Sequence, residues 1–454
     1  MRTISIHDTL TGAVRQLEPR EPGRIGIYAC GPTVYARIHV GNARPFVIFS
    51  LLTRFLRREG YEVTFVANVT DINDKIYAAA ARQGVPSEQL AREMTAAYMA
   101  DTGALALGRP DHEPLASETI PGIIALIVRL IERGHAYESE GDVYFAVRSY
   151  PQYGQLSHRN VDSMDQGEDI AGSERKRDPL DFALWKREKK DEDSAWESPW
   201  GRGRPGWHIE CSAMAEALLG LDFEIHGGGS DLIFPHHENE AAQTFAAREK
   251  PLARIWMHNG LVQVRAADGA PDKMAKSVGN VFLLHEALAA FGRDALIMYL
   301  CGGHYRQPIA FDDERLAEAA ARVRRLREAG RSLDRGPSPG WSAALKQQFF
   351  DALADDFNTP RALAAVFDWV REANRAGGGV GDEDIREMLD VVALGNLLDE
   401  HPMQASAEAL GLLDARERAR GERDWAEADR LRDQLRSLGW EVRDGPAGPE
   451  LLPA

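Results

Sequence analysis

Apolar and polar residues recur along this chain with two periods, and the changes of period mark out its parts. Arg24 to Ala29 reads Arg-Ile-Gly-Ile-Tyr-Ala, a short strand-like run ending at Cys30. From Ala43 to Arg58 the period becomes helical, with Phe46, Phe49, Leu52 and Phe55 or Leu56 on one side. Tyr61 to Val69, rich in β-branched and aromatic residues, reads as a second strand. Strand, helix and strand in this order predict a β-α-β unit in the first third. Farther along, Ser117 to Arg133 reads as a helix, Ala136 to Val147 as strand material, and polar Ser163 to Asp178 as an exposed loop. After residue 310 the pattern turns helical, first from Glu314 to Gly330. A second helix opens at Thr359-Pro360, carries Leu363, Val366, Phe367 and Val370 on its apolar face, and stops at Gly377-Gly378-Gly379. A last module begins near His401, with an apolar stripe of Trp425, Ala428, Leu431, Leu435 and Leu438 and a short strand from Trp440 to Asp444.

Composition adds bounds to this outline. A chain of 454 residues predicts about three domains at ~150 residues each. With 44% hydrophobic and 27% charged residues it has the makeup of a globular protein with a sizeable core. The net charge of −16 argues against nonspecific coating of nucleic acid and leaves room for a local basic track on one RNA. Arg322, Arg324, Arg325 and Arg327 are either such a track or an ordinary solvated helix face. Residues Met1 to Asp8 contain no apolar signal core and no apolar run is long enough to span a bilayer, so no membrane partner is expected. Three cysteines make no disulfide framework, which predicts a reducing, cytoplasmic setting. Cys301 follows the apolar run Ala295 to Leu300 and is read as a packed core thiol.

The candidate chemistry lies in four places. Cys30, Cys211, His236 and Glu240 offer two thiolates, an imidazole and a carboxylate, a donor set that suits tetrahedral Zn²⁺. His236 and Glu240 are four apart at the start of a predicted helix and share a face. With no compact pair of cysteines, spacing alone favours the alternative, buried thiols beside a solvated acidic helix. Between the first strand and its helix, Gly31 to Asn42 delivers His39, Gly41 and Asn42 to a helix N-terminus, where free N–H groups favour an anion such as phosphate. A plain loop-to-helix junction is the alternative. His226-Gly227-Gly228-Gly229-Ser230-Asp231 reads as a glycine-rich turn, in which Asp231 could accept from ribose hydroxyls or simply end a flexible turn. Lys273-Met274-Ala275-Lys276-Ser277 places two lysines three apart in a polar loop before a helix, suited to a triphosphate or to nothing more than an exposed basic turn.

Together these segments resemble a known family. His39-Val40-Gly41-Asn42 resembles the HIGH signature of class I aminoacyl-tRNA synthetases, and Lys273 to Ser277 resembles their KMSKS loop. Cys30 to Tyr35, Thr70 to Lys75, Gly206 to Met214, His226 to Glu240, Gly303 to Arg306 and Asp355 to Pro360 are similar to the cysteinyl-tRNA synthetase family, in its order and over almost the whole chain. Three departures stand out. Val40 and Asn42 replace two letters of HIGH, Ala275 replaces the first serine of KMSKS, and Asn73 stands where Asp is common.

The resemblance implies an α/β fold: a Rossmann-like catalytic domain with an inserted connective segment, then an α-helical bundle and a small C-terminal α/β module. In this sequence the parts would be 1–116 and 206–310 for the catalytic halves, 117–205 for the insertion, 311–400 for a tRNA-binding bundle and 401–454 for an anticodon-binding module. It implies one Zn²⁺ per chain on Cys30, Cys211, His236 and Glu240, which takes the substrate thiolate and so rejects serine. His39, Lys273 and Lys276 would be catalytic; His39, Gly41, Asn42, Asp231 and Lys276 would bind ATP with its Mg²⁺; Thr70 and Trp207 would wall the amino-acid pocket. The implied reaction is ATP-dependent formation of cysteinyl-adenylate and transfer of cysteine to tRNA(Cys), by a monomer. Two other readings stay in view. A ligase passing cysteine to a small amine, as in the mycothiol pathway, would not need the region from 310 to 454. A noncatalytic RNA-binding relative would be expected to lose ligands that this chain keeps.

Overall fold

In the computed structural model, residues 2–164, 173–190, 192–265, 271–274, 281–399, 406–438, 440–445 and 448–453 are described. They fall into two compact units, Met1–Arg325 with Leu333–Gly395, and Leu326–Ser332 with Asn396–Ala454. Among the described residues no helix is long and apolar enough to cross a membrane.

The centre of the larger unit is a parallel sheet of four strands: β1 Arg24–Ala29, β2 Glu62–Ala67, β3 Phe223–Gly229 and β4 Ala253–Asn259. Their order across the sheet is β4-β3-β1-β2. The chain leaves β1 for β2 on one side and returns to β3 on the other. The gap between the C-terminal ends of β1 and β3 is therefore the switch point where such sheets bind ligands. Helix α1, Val40–Arg58, crosses from β1 to β2. It starts three residues before the apolar period suggests, because His39 caps it and the Asn42 side chain accepts from the His39 backbone N–H at 3.2 Å. Its apolar surface is also wider than one stripe. Val47, Ile48 and Leu51 are as buried as Phe49, Leu52 and Phe55, as expected of a crossover helix covered on both sides.

Between β2 and β3 the chain builds an antiparallel sheet from Ala136–Ser139, Asp142–Phe145, Phe182–Arg187 and Gly203–Pro205. Helix Ile120–Glu132 packs into the same core as this sheet and β1, through Ile123, Ile127, Phe145, Phe182 and Tyr28. Helix α2, Trp207–Leu219, leads into β3, and α3, Glu238–Arg248, connects β3 to β4. A second small sheet follows, with β5 Val262–Arg265 flanked by β6 Pro271–Lys273 and β7 Ile309–Ala310. The helices Ser342–Ala354, α4 Thr359–Ala376 and Glu383–Val391 complete this unit, α4 capped by the Asn358 side chain and ended by Gly377 in left-handed conformation.

In the smaller unit, helices Ala407–Gly421 and Trp425–Ser437 pack together beside the hairpin Trp440–Gly445/Gly448–Pro453. Ala428, Leu431 and Leu435 face this small core. Trp425 and Leu438 do not belong to the stripe read from the sequence, being 60% and 40% exposed at the two ends of the helix. Cys301 is a buried core thiol, as its apolar context predicts.

Candidate active site

Cys30 sits one residue beyond β1, Cys211 in the second turn of α2, Glu240 in the first turn of α3, and His236 in the turn just before α3. Fold topology brings these separate elements to the switch point. One donor atom from each of the four residues lies within 4.8 Å of the other three, and all four are buried. His236 Nε2 is 3.0 Å from Glu240 Oε1, and Cys30 Sγ is 3.5 Å from the same oxygen. Burial, reinforced by Cys211 and Glu240, pushes the Cys30 thiol well up. Cys211 is lowered by its hydrogen bond with Cys30, but burial and Glu240 outweigh this and its thiol is also pushed up. Burial and the neighbouring His208 and His226 hold the His236 ring far below its usual value, hence neutral. A dry pocket with two thiols, a neutral imidazole and a carboxylate fits a divalent cation, which would supply the counter-charge that thiolates need there.

Sequence reasoning missed the histidines behind this cluster. His208 Nδ1 lies 2.9 Å from His236 Nδ1; with His236 Nδ1–H as the donor, the His236 Nε2 lone pair faces the cluster. His226 Nε2 meets the second Glu240 oxygen at 2.8 Å. His237 Nδ1 is 2.7 Å from His258 Nε2, and His258 Nδ1 is 2.7 Å from the Thr9 hydroxyl. Cys30, His226, His237 and Glu240 form a second set of donors within the same 4.8 Å limit. The His236-His237 doublet was the one visible signal of this layer.

Of the expected pocket walls, Trp207 stacks on the His236 ring at 4.3 Å and 22°. Thr70 is buried and reaches the Cys30 turn indirectly. Its hydroxyl accepts from Asn68 Nδ2 at 3.2 Å, while Asn68 Oδ1 accepts from the Gly31 N–H at 2.9 Å. Gly31 has no alternative, since a Cβ there would lie 1.7 Å from the Asn68 carbonyl oxygen.

His39, Gly41 and Asn42 form the first turn of α1, with His39 buried. A Cβ on Gly41 would come within 2.9 Å of the His39 ring. The glycine triplet is not a flexible turn. Gly227 to Gly229 are the last residues of β3 and pair with Met257 to Asn259. A side chain at Gly227 would collide with the Met257 carbonyl at 2.1 Å, so close packing explains a composition that otherwise signals a loop. Asp231 follows, exposed, in the short turn Ser230–Leu232 beyond the C-terminal end of β3. Lys273 belongs to β6 by its backbone, paired with Gln263, rather than to a loop. Ala275, Lys276 and Ser277 lie outside the described residues, as do residues 165–172 of the Ser163 to Asp178 stretch. The chain on both sides of 275–280 is anchored near α1: the Met274 N–H donates to the Val262 carbonyl at 3.3 Å, and the Phe282 carbonyl accepts from the Val40 N–H at 3.0 Å.

Known proteins share both fold and sequence with this arrangement. The chain is similar in fold to Mycobacterium tuberculosis methionyl-tRNA synthetase in complex with methionyl-adenylate, with TM-score 0.60 and 18% identity over 83% of this chain and 90% of that one. It is 44% identical over 483 residues to the cysteine–tRNA ligase of Pelotomaculum thermopropionicum, covering 98% of this chain and 99% of the relative. To that of Halorhodospira halophila it is 45% identical over 459 residues, covering 98% of each. Residues 16–321 match the tRNA synthetases class I (C) catalytic domain, residues 348–414 the DALR domain and residues 404–448 the cysteinyl-tRNA ligase anticodon binding domain. The chain thus belongs to the cysteinyl-tRNA synthetases, a family of class I aminoacyl-tRNA synthetases.

Proposed function

We propose that the protein activates L-cysteine with ATP and transfers it to the 3′ end of tRNA(Cys), selecting cysteine through a metal-bound thiolate. The observation that carries this reading is the meeting of Cys30, Cys211, His236 and Glu240 at the end of β1, with His39 at the start of the next helix. We assign these four as ligands of one Zn²⁺. They contain two sulfur donors, whereas His226 and His237 of the alternative set already face Glu240 and His258. Zinc bound there would accept a substrate thiolate, for which a serine hydroxyl is a poor substitute.

Trp207 and Thr70 would bound the amino-acid pocket. The first turn of α1 would receive the phosphates, with Gly41 allowing close approach and His39 donating a hydrogen bond as charge develops on the α-phosphate. Asp231 would accept from ribose hydroxyls. Lys273 and Lys276 would meet the triphosphate and its Mg²⁺ from the segment that starts at β6. The cysteine carboxylate attacks the α-phosphate and pyrophosphate leaves. The terminal ribose hydroxyl of tRNA then attacks the acyl carbonyl, releasing AMP. Positioning and charge stabilisation carry both steps. Residues 311–400 and 401–454 would be the tRNA-binding bundle and anticodon module of a cytoplasmic monomer. The matches over 348–414 and 404–448 give the small-amine reading no support.

The test is charging of total tRNA with labelled cysteine, together with cysteine-dependent exchange of pyrophosphate into ATP. Charging confined to cysteine isoacceptors, with serine inactive, is expected. Exchange without charging would remove the tRNA role.

A further inference from the structure

Arg44 lies in the second turn of α1 and is 0% exposed. Among the described residues, the hydrogen-bond acceptors on its guanidinium are backbone carbonyls rather than a carboxylate. Its Nη1 donates to the carbonyls of Gly260 at 2.5 Å, Gln307 at 2.7 Å and, more weakly, Leu261 at 3.4 Å; its Nη2 donates to the His304 carbonyl at 3.2 Å. Burial brings its pKa down to about 10, which leaves it charged at neutral pH. A buried cation on neutral acceptors is costly, and an aliphatic side chain would fill the same space more cheaply. What an aliphatic chain cannot do is hold two separate backbone stretches with one rigid fork.

Those two stretches are Gly260–Leu261, which opens β5, and His304–Gln307, which leads into β7. They also grip each other. The Gly260 N–H donates to the Tyr305 carbonyl at 2.7 Å, Ile309 N–H to Leu261 at 3.0 Å and Phe311 N–H to Gln263 at 2.7 Å. A Cβ on Gly260 would lie 2.4 Å from the Gln307 carbonyl, so no side chain fits at this joint. From the joint, β5 runs into register with β6, whose last residue is Lys273. Arg44 thus ties the root of the lysine-bearing hairpin to the helix whose first turn contains His39.

We infer that Arg44 is a positioning residue for the ATP half-reaction, setting the backbone of the β5–β6 hairpin against the first turn of α1, where His39 would address the phosphates. This rests on the ATP-activating reading given above. It acts through backbone placement, and displacement of about 1 Å between reacting groups is enough to slow a reaction about a hundredfold.

The test uses the full-length, zinc-loaded protein in cysteine-dependent pyrophosphate exchange, with KM for ATP and for cysteine measured separately. Arg44→Lys keeps the charge but not the fork. It is expected to lower exchange kcat or raise the ATP KM by about tenfold, with the cysteine KM and zinc content within about twofold of the unaltered protein. Gly260→Ala pushes on the Gln307 carbonyl, an acceptor of Arg44, while leaving the Arg44 side chain itself unaltered, and is expected to give the same ATP-sided pattern. Arg44→Met should lose more; if it fails to fold, the other two variants decide. The inference is overturned if Arg44→Lys leaves the ATP parameters unchanged, or if ATP and cysteine parameters fall together in step with the folded fraction, which is the mark of a purely structural role. An unaltered protein with no exchange would instead remove the ATP-activating reading, and this inference with it.

Discussion

Replacing Cys211 by serine exchanges a thiol for a hydroxyl in a position only 1% exposed. Zinc holds a hydroxyl far less well than a thiolate, so the variant is expected to lose the proposed Zn²⁺, measured as zinc per chain by atomic emission. Its cysteine KM in pyrophosphate exchange should rise by at least about tenfold while the ATP KM changes little. Undiminished zinc would move the metal to Cys30, His226, His237 and Glu240. At this scale the four principal donors were legible because cysteine, histidine and glutamate advertise metal chemistry by type. The histidines behind them were not. His226 and His258 reach the site only because β3 and β4 lie side by side, and nothing local in the sequence announces that pairing. Arg44 was less legible still, since its acceptors are carbonyls 216 to 263 residues away and every residue type has a carbonyl.

At the scale of elements, the first turn of α1 depends on Gly41. A methyl group there meets the His39 ring at 2.9 Å and must turn it. Gly41→Ala is therefore expected to slow adenylate formation by about tenfold, with a melting temperature close to that of the unaltered protein; an unaffected rate would place the phosphates elsewhere. The helix Asp74–Gln83 is tied to the inserted sheet through Asp74, which pairs with Lys186 at 2.8 Å and with Arg204. Burial alone would raise the Asp74 carboxyl, but Lys186, Arg204 and Lys189 outweigh it and bring its pKa to about 2. A carboxyl depressed by folding stabilises above its unfolded value, near ~3.9, and loses that contribution as pH falls toward its folded value. Asp74→Asn should therefore lower the melting temperature at pH 7, and its deficit should shrink as pH falls below about 4. A deficit independent of pH would mean that the ion pairs contribute nothing. Strand and helix positions were largely readable because burial imposes a period. The glycine triplet misled because composition reports conformational freedom, whereas at Gly227 the deciding quantity is the closeness of the next strand.

Over the whole molecule, the division into two units separates two expected losses. A chain ending at Gly395 should retain cysteine-dependent pyrophosphate exchange and lose most tRNA charging; loss of both would show that the larger unit depends on the smaller one for its fold. The sequence made the α/β class legible, but not the order of the central strands. Two of the four lie beyond a long insertion, and only the crossover geometry decides on which side of β1 they return. That return has a consequence in time. Cys30 and Glu240 are 210 positions apart, so on a ribosome adding ~5–20 residues per second the first of the proposed ligands is made roughly 10–40 seconds before the last. Throughout that interval Cys30 is a thiol without the other proposed ligands, open to oxidation or to capture by a stray ion. Ribosome-bound chains halted before residue 240 should have a Cys30 that reacts with maleimide, and chains halted well beyond it, with zinc supplied, should not. The window in which the nascent enzyme is most easily poisoned would then be set by the length of chain between β1 and α3.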